Sequence, residues 1–443
     1  RPKRIVKFLA AGLCVLAAGL SCPSNGVRTA ATPPDDKELV LFFTGRELGS
    51  LRPCGCSGGQ LGGMEKRSAV FHGVPASRRL VVATGGLVRR EGEQDLMKYR
   101  ILFEAFKLLQ YDVVHLTAHD REIAARLGLL ADPQPFQILP AAEPGRSAEL
   151  TRQVTVADRE ITINFASFDS PSSALRPPSF ALQPRDTATV NIFMVEHYDP
   201  NAFGLRSWRA PGIECVICPS DTDEPRLLSR PGETPLVFSV GQFGRYICRL
   251  GVTIEVRTGT PIPRFEAIPV CEKLPDDEIL VRLYRQYQQL VGQSTLLESH
   301  PRLPLEGKLA FVGSASCKRC HAPEYEQWKT TGHSHALETL QKVGSDRDPE
   351  CVLCHVSGLE YEGGYINQRQ TRHLAGVGCE NCHGPGSEHV LSGGQVPTGG
   401  PKTACRKCHT PEQSAEFAGH EEEFMKKILH WTEPAAPGKV KDY

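Results

Sequence analysis

Four short stretches carry the chemistry this chain can do: "CKRCH" (Cys317, Cys320, His321), "CVLCH" (Cys351, Cys354, His355), "CENCH" (Cys379, Cys382, His383) and "CRKCH" (Cys405, Cys408, His409). Each is a C-x-x-C-H. Two thiols one short turn apart can form thioethers with the two vinyl groups of one porphyrin, and the next residue then sets its imidazole against the iron. Zinc is the competing use of Cys and His. Structural zinc sites usually join two knuckles through a variable loop and do not demand a histidine directly after every second cysteine. The four repeats therefore read as attachment sites for four covalent c-type haems. Eight cysteines serve as anchors, and His321, His355, His383 and His409 serve as proximal ligands.

The sixth ligands should be mostly histidine. A methionine ligand raises the potential, whereas a second histidine lowers it. From residue 300 onward only Met425 is available, against seven spare histidines: His300, His333, His335, His373, His389, His420 and His430. His300 precedes Pro301 in a linker, His373 lies in a variable stretch, and His420 opens the acidic run "HEEEF". His300 is not expected to be a ligand, and His373 and His420 read as surface residues. His335 stands two positions after His333 and so points well away from it on a helix. His389 follows His383 by six residues, with "GPGS" turning the chain between them. Two ligands so close in sequence cannot easily reach opposite faces of one porphyrin, so His389 is expected to cap a neighbouring haem.

These segments resemble the multihaem cytochromes of the cytochrome c554 type, through "GSASCKRCHAPEYEQWKTTGHSHALETL", "CVLCHVSGLEYEGGY", "VGCENCHGPGSEH" and "CRKCHTPEQSAEF" followed by "ILH". The resemblance runs over roughly residues 310–431 and implies a mostly helical tetrahaem domain. It also implies distal ligands at His333 (within W-x-x-[ST]-x-H, here Trp328 and Thr331), at His389 and at His430, with His335 as a further candidate. Some members leave one iron five-coordinate.

The elements that must position these groups begin with the rest of the chain. Its 443 residues are 40% hydrophobic with 51 basic and 51 acidic side chains, enough for two or three domains. Zero net charge, without a basic aromatic-studded stretch, gives no sign of nucleic acid. Residues 308–443 hold 15 Lys/Arg against 17 Asp/Glu. The opening "RPKRIVKFLAAGLCVLAAGLSCPS" has four basic residues, a short apolar run, and small residues before Cys22. This is an export pattern, with lipidation of Cys22 as one outcome and simple cleavage or an uncleaved anchor as the others. The first residue is not methionine, so a trimmed or misassigned start is expected. Five segments follow: 1–22 signal, 23–36 linker, 37–272 an α/β domain, 273–307 a connecting helix and linker, and 308–443 the haem domain.

Within 37–272, apolar runs alternate with helical patterns. Strands are expected at "ELVLFF", "RLVVAT", "DVVHLT", "EITINFASF", "VNIFMVEHY", "IECVIC", "PLVFSV" and "YICRLGVTIEV", the last two forming a pair around a glycine turn. "EQDLMKYRILFEAFKLLQ" sets Leu96, Tyr99, Phe103, Phe106 and Leu109 on one face, and the connecting helix aligns Ile279, Leu283, Tyr287 and Leu290. The order of pieces resembles the metallophosphoesterase domain of secreted 5′-nucleotidases, implying a sheet sandwich. The metal-loop places read "FTGRELG", "ATGG", "LTAHD", "VEH" and "CPSD". His119, Asp120 and His197 are candidate remnants. The remaining ligands that resemblance calls for are missing, and two hard divalent ions need a bridging carboxylate and several more donors. A pseudo-enzyme scaffold is expected. Cys54 and Cys56 sit in a glycine-rich loop, suited to a disulfide with another cysteine or, second, to metal or redox use. Cys215 and Cys218 form a C-x-x-C without histidine, as a local disulfide, a redox pair or buried thiols.

The sequence thus reads as an exported tetrahaem electron-transfer cytochrome with redox proteins as partners, a possible membrane tether at the N-terminus, and no indication of oligomeric state. Two alternatives are an oxidoreductase acting on a small nitrogen or sulfur species at a five-coordinate haem, and a working phosphoesterase in the first half.

Overall fold

The computed structural model describes residues 36–53, 59–143, 147–168, 188–196, 213–230, 232–307, 309–400, 405–410, 413–414, 417 and 419–430. The export pattern, Cys54, Cys56 and His197 lie outside the described residues.

Residues up to about 270 build two stacked sheets. The chain runs β1 (Leu39–Thr44), α1 (Met64–Phe71), β2 (Arg79–Ala83), α2 (Glu93–Leu108), β3 (Val113–His115), α3 (Ala118–Arg126), β4 (Gln137–Leu139), β5 (Ala148–Val156), β6 (Arg159–Phe168), β7 (Thr189–Val195), β8 (Cys215–Cys218), β9 (Leu236–Ser239), β10 (Tyr246–Ile254), β11 (Pro261–Pro269) and α4 (Glu278–Gln293). One sheet has the order β11-β10-β1-β2-β3-β4 and the other β5-β6-β7-β8-β9. β1 through β4 are parallel, with β10 and β11 added antiparallel at one side.

The central strands are apolar throughout because both faces are covered. Alternation divides the load in β1: Leu39, Leu41 and Phe43 face the second sheet, while Val40 and Phe42 face the helices. On the helix side, Tyr99, Phe103 and Phe106 of α2 are buried as their spacing requires. α4 belongs to this same core and does not merely connect. Its buried stripe is Leu280, Leu283, Tyr287 and Val291, whereas Ile279 and Leu290 are 50% and 45% exposed. The expected stripe shares only Leu283 and Tyr287 with the real one. The two differ by one residue at each end, where several apolar residues stand side by side.

Two other expectations change. The strand pair "PLVFSV" and "YICRLGVTIEV" does not form: β9 lies in one sheet and β10 in the other. Gly241 makes the crossing, with φ +78° and only 2.5 Å between its would-be Cβ and the Asp223 carbonyl oxygen. β10 pairs instead with β11, whose prolines at 261, 263 and 269 fit an edge strand. A disulfide between Cys215 and Cys218 is ruled out. They are three residues apart on a strand, which is about 10 Å and opposite faces, beyond disulfide reach. Cys215 faces the inter-sheet core and Cys218 the outer face, both as free buried thiols. Cys271 is disulfide-bonded.

From residue 300 on the described structure is mostly short helices: α5 (Ser314–Cys317), α6 (Ala322–Lys329), α7 (Ala336–Val343), α8 (Pro349–Val352), α9 (Cys379–His383), α10 (Ser387–Leu391) and α11 (Glu421–Lys426). Its apolar cluster is small, formed by Leu297, Leu337, Leu340, Val352, Val356, Leu359, Tyr365 and Leu374.

The loop after β1 is held by a fully buried pair, Arg67 Nη1 and Nη2 donating to the two carboxylate oxygens of Glu47 at 2.9 and 2.5 Å. Burial works against the guanidinium charge, and the Glu47 carboxylate with Tyr111 more than offsets it. Glu47→Ala would strand that cation, at a cost of about 3–5 kcal/mol. Urea unfolding followed by circular dichroism should show the loss, and Glu47→Ala together with Arg67→Met should recover part of it.

Candidate haem-binding region

Every C-x-x-C-H motif forms a turn of helix. His321 N and Cys320 N both bond to the Cys317 carbonyl, at 2.9 and 3.2 Å, and His409 N and Cys408 N do the same with Cys405, at 2.8 and 3.2 Å. Cys354 N reaches Cys351 O at 3.3 Å, and the third motif is α9 itself. None of the eight motif cysteines is in a disulfide. Motifs also meet one another. Cys317 hydrogen-bonds Cys379, and Cys354 hydrogen-bonds Cys408, so the first is set beside the third and the second beside the fourth. Among the described residues no three Cys, His, Asp or Glu side chains converge as a zinc ion would require.

The imidazoles are oriented by their Nδ1 atoms. His355 Nδ1 lies 2.7 Å from Ala336 O, His383 Nδ1 3.1 Å from Gly399 O, and His389 Nδ1 2.7 Å from Val396 O. A carbonyl only accepts, so the ring proton belongs on Nδ1, and Nε2 keeps its lone pair for a metal. His409 Nδ1 meets Ser414 Oγ at 3.1 Å. Burial lowers the pKa of His333, His355, His409 and His430, with neighbouring His409 and His355 adding to the effect at His333, and His383 at His430. Neutral rings are the ones that ligate.

Two pairs of rings face each other. His321 and His389 have centroids 5.8 Å apart and planes 25° apart; for His333 and His409 the values are 6.1 Å and 56°. Two imidazole nitrogens at about 2 Å from one metal, with about 1 Å more to each ring centre, put centroids about 6 Å apart. The residues present therefore fit an iron between each pair. His389 is placed against the first motif's histidine, not against His383. His335 is turned elsewhere: Nδ1 faces the Glu338 carboxylate at 3.2 Å and Nε2 the Lys329 carbonyl at 3.1 Å, which leaves neither nitrogen free. His373 and His420 are exposed. Trp328 donates its indole N–H to Val377 O at 2.9 Å, and Val377 N bonds His333 O at 2.9 Å, tying the His333 turn to the third motif.

One positioning residue does not stand out in the sequence. Glu380, inside "CENCH", is buried and accepts three backbone N–H groups: Val312 at 2.9 Å, Gly313 at 2.7 Å and Gly386 at 2.7 Å. Val312 and Gly313 lead into α5 and Cys317; Gly386 leads into α10 and His389. Glu380 thus fixes both sides of the His321–His389 pair. Asn381 beside it accepts from Gly378 N at 2.9 Å and donates to Val356 O at 2.9 Å, joining the second and third motifs.

At the strand ends of the first half, the two described candidates, His119 and Asp120, do not come together as metal ligands. Asp120 is the N3 residue of the α3 capping box. Its carboxylate accepts from Gly86 N at 2.7 Å, Leu87 N at 3.0 Å, Thr117 N at 3.2 Å and Thr117 Oγ1 at 2.7 Å, so its lone pairs are taken. His119 points to Glu91 at 3.5 Å near the surface. The small cleft there is lined by Arg46, Thr84, Gly85, Glu196 and Cys218 among others.

Residues 316–384 match the family described as cytochrome c554 and c-prime, a span holding the first three motifs. The chain is 38% identical over 112 residues to cytochrome c-554 of Nitrosomonas europaea, covering 21% of this chain and 48% of that protein. It thus spans about half the length of the curated relative it matches. Among solved structures, the calcineurin-like phosphoesterase YfkN from Bacillus subtilis is 13% identical, with 57% of this chain and 97% of that one covered and a TM-score of 0.43. A 5′-nucleotidase precursor from Thermus thermophilus is 15% identical, with 69% and 68% covered and a TM-score of 0.42. The C-terminal region is thus similar to cytochrome c554 over a stretch that includes the first three motifs.

Glu380→Ala leaves three amide groups without their acceptor, at about 1–3 kcal/mol for each that stays dry. The expected result is a loss of several kcal/mol in denaturant unfolding and a weakened low-spin signal from one haem. Glu380→Gln should lie between the variant and the wild type.

Proposed function

We propose that this chain is an exported tetrahaem cytochrome that passes electrons along four covalently held haems, with its α/β half serving as scaffold or docking module. The observation that carries the reading is the pairing of imidazoles. In two cases a motif histidine faces a second histidine from elsewhere in the chain at the separation one iron spans. Cys317 and Cys320 would anchor the haem ligated by His321 and His389; Cys405 and Cys408 the haem ligated by His409 and His333. Cys379 and Cys382 would anchor the third, with His383 and nearby His430 as ligands, and Cys351, Cys354 and His355 would hold the remaining one.

A bound c-type haem supplies a one-electron ferric/ferrous couple. The chain's contribution is orientation and tuning. The Nδ1 bonds to Ala336, Gly399 and Val396 carbonyls lock ring direction and make the ligating nitrogen more basic. Histidine on both sides, in place of methionine, favours the ferric state and so low potentials. Contacts between motifs one and three and between two and four would set the haems side by side in two pairs. Export, suggested by the basic-apolar-small pattern ending at Cys22, would give haem attachment its usual setting outside the cytoplasm, periplasmic or extracellular, with redox proteins as partners and a lipid on Cys22 as a tether.

Expression with c-type maturation machinery should give a band that stains for haem after denaturing electrophoresis, with an intact mass raised by four haems; an unstained band would refute the assignment. His389→Ala should convert about one haem in four from low-spin to high-spin, seen by electron paramagnetic resonance, and let it bind carbon monoxide when reduced. An unchanged spectrum would remove His389 from the ligand set.

A further inference from the structure

The start of α8 is held from the other half of the molecule. Asp348 caps this helix, its Oδ1 accepting from Glu350 N at 3.0 Å, and three residues later comes Cys351. The same carboxylate is gripped by two side chains of the sandwich's helical layer. Gln94 Nε2 of α2 donates to Oδ1 at 2.8 Å, and Tyr287 Oη of α4 donates to Oδ2 at 2.9 Å. Gln94 also bonds Tyr287 Oη at 2.8 Å, closing a triangle. Lys98 of α2 adds an ion pair with Glu350. Asp348 is 7% exposed and Tyr287 2%. On the other side of α8 lie Val352 and Val356, both fully buried. The Asp348 carbonyl accepts from Cys351 N at 3.0 Å and Val352 N at 2.8 Å, so the acid and the thiol share one rigid turn.

A carboxylate in such surroundings is poorly screened. Charge and hydrogen bonding beside a redox centre are two of the levers by which a protein sets its potential. A fixed negative charge stabilises the more positive, oxidised iron and lowers the potential. We propose that Asp348 is a potential-setting residue for the haem held by Cys351, Cys354 and His355, and that Tyr287 and Gln94 of the α/β half position it. This rests on the haem reading above. Its consequence is that the first half adjusts one chosen haem through direct contact, beyond serving as a platform.

The test is a spectroelectrochemical titration of the full-length holoprotein, wild type against Asp348→Asn, at pH 7. Asparagine keeps the size and can cap the helix through its one oxygen, with its amide N–H2 donating to Tyr287 Oη where the carboxylate accepted, and it carries no charge. One of the four components should move to a more positive potential by about tenfold in its ferric/ferrous equilibrium, which is about 59 mV for one electron, with the absorption spectrum unchanged. No component moving, or all four moving together, overturns the proposal. Should Asp348→Asn give no holoprotein, Tyr287→Phe serves. It removes one donor, leaves more of the carboxylate charge uncompensated and should shift the same component the opposite way; a still component overturns the proposal. A wild-type protein without covalent haem would instead refute the haem reading itself.

Discussion

A buried carboxylate must collect donors, and the C-terminal region is organised around that demand at Glu380. The three amides it collects lie 68, 67 and 6 residues away in the chain. The apolar cluster of this region is small, and its buried members include no residue of the first motif or of the turn that carries His389. Hydrogen bonds in a poorly screened interior are strong and directional, so they can set ring orientation where a loose hydrophobic contact could not. The His321–His389 geometry follows from the two backbone segments that Glu380 pins. Asn381 and Ser314 extend the same lacing, the latter through its hydroxyl to Cys379 N at 3.1 Å.

The two halves use this device differently. In the sandwich, stability comes from two broad apolar layers, one between the sheets and one under the helices, and buried ions are fastened to each other, as Glu47 to Arg67, or to backbone, as Asp120. In the second half, apolar burial is thin and the buried acid Glu380 is fastened to backbone. The seam between them combines both habits. Tyr287 has its ring in the first core and its hydroxyl on Asp348 of the second half, so one side chain belongs to both.

Much of this was legible in the sequence, and the reasons for the rest are physical. The haem motifs were legible because thioether chemistry forces its residues to be contiguous. The central strands were legible because double coverage makes them apolar at every position. β5 and β11 were not: one alternates polar residues along an exposed face, and the other is studded with prolines, as edge positions allow. The β9–β10 turn was visible, but a turn does not state which sheet its strands join. That His389 should look away from His383 could be argued from chain reach; that it faces His321 could not. Glu380 and Asp348 do not stand out in the sequence, since most of their donors come from remote segments.

Asp120 sets the character of the strand end of the sandwich. An aspartate that accepts four hydrogen bonds from Gly86, Leu87 and Thr117 is a structural clasp, with its negative charge already engaged by the loop after β2 and the start of α3. A cation arriving there would have to displace the protein's own amides before meeting any other ligand. The loop after β2 therefore depends on Asp120 for its shape: without that carboxylate, two of its amides and the Thr117 hydroxyl would have to find other acceptors at once.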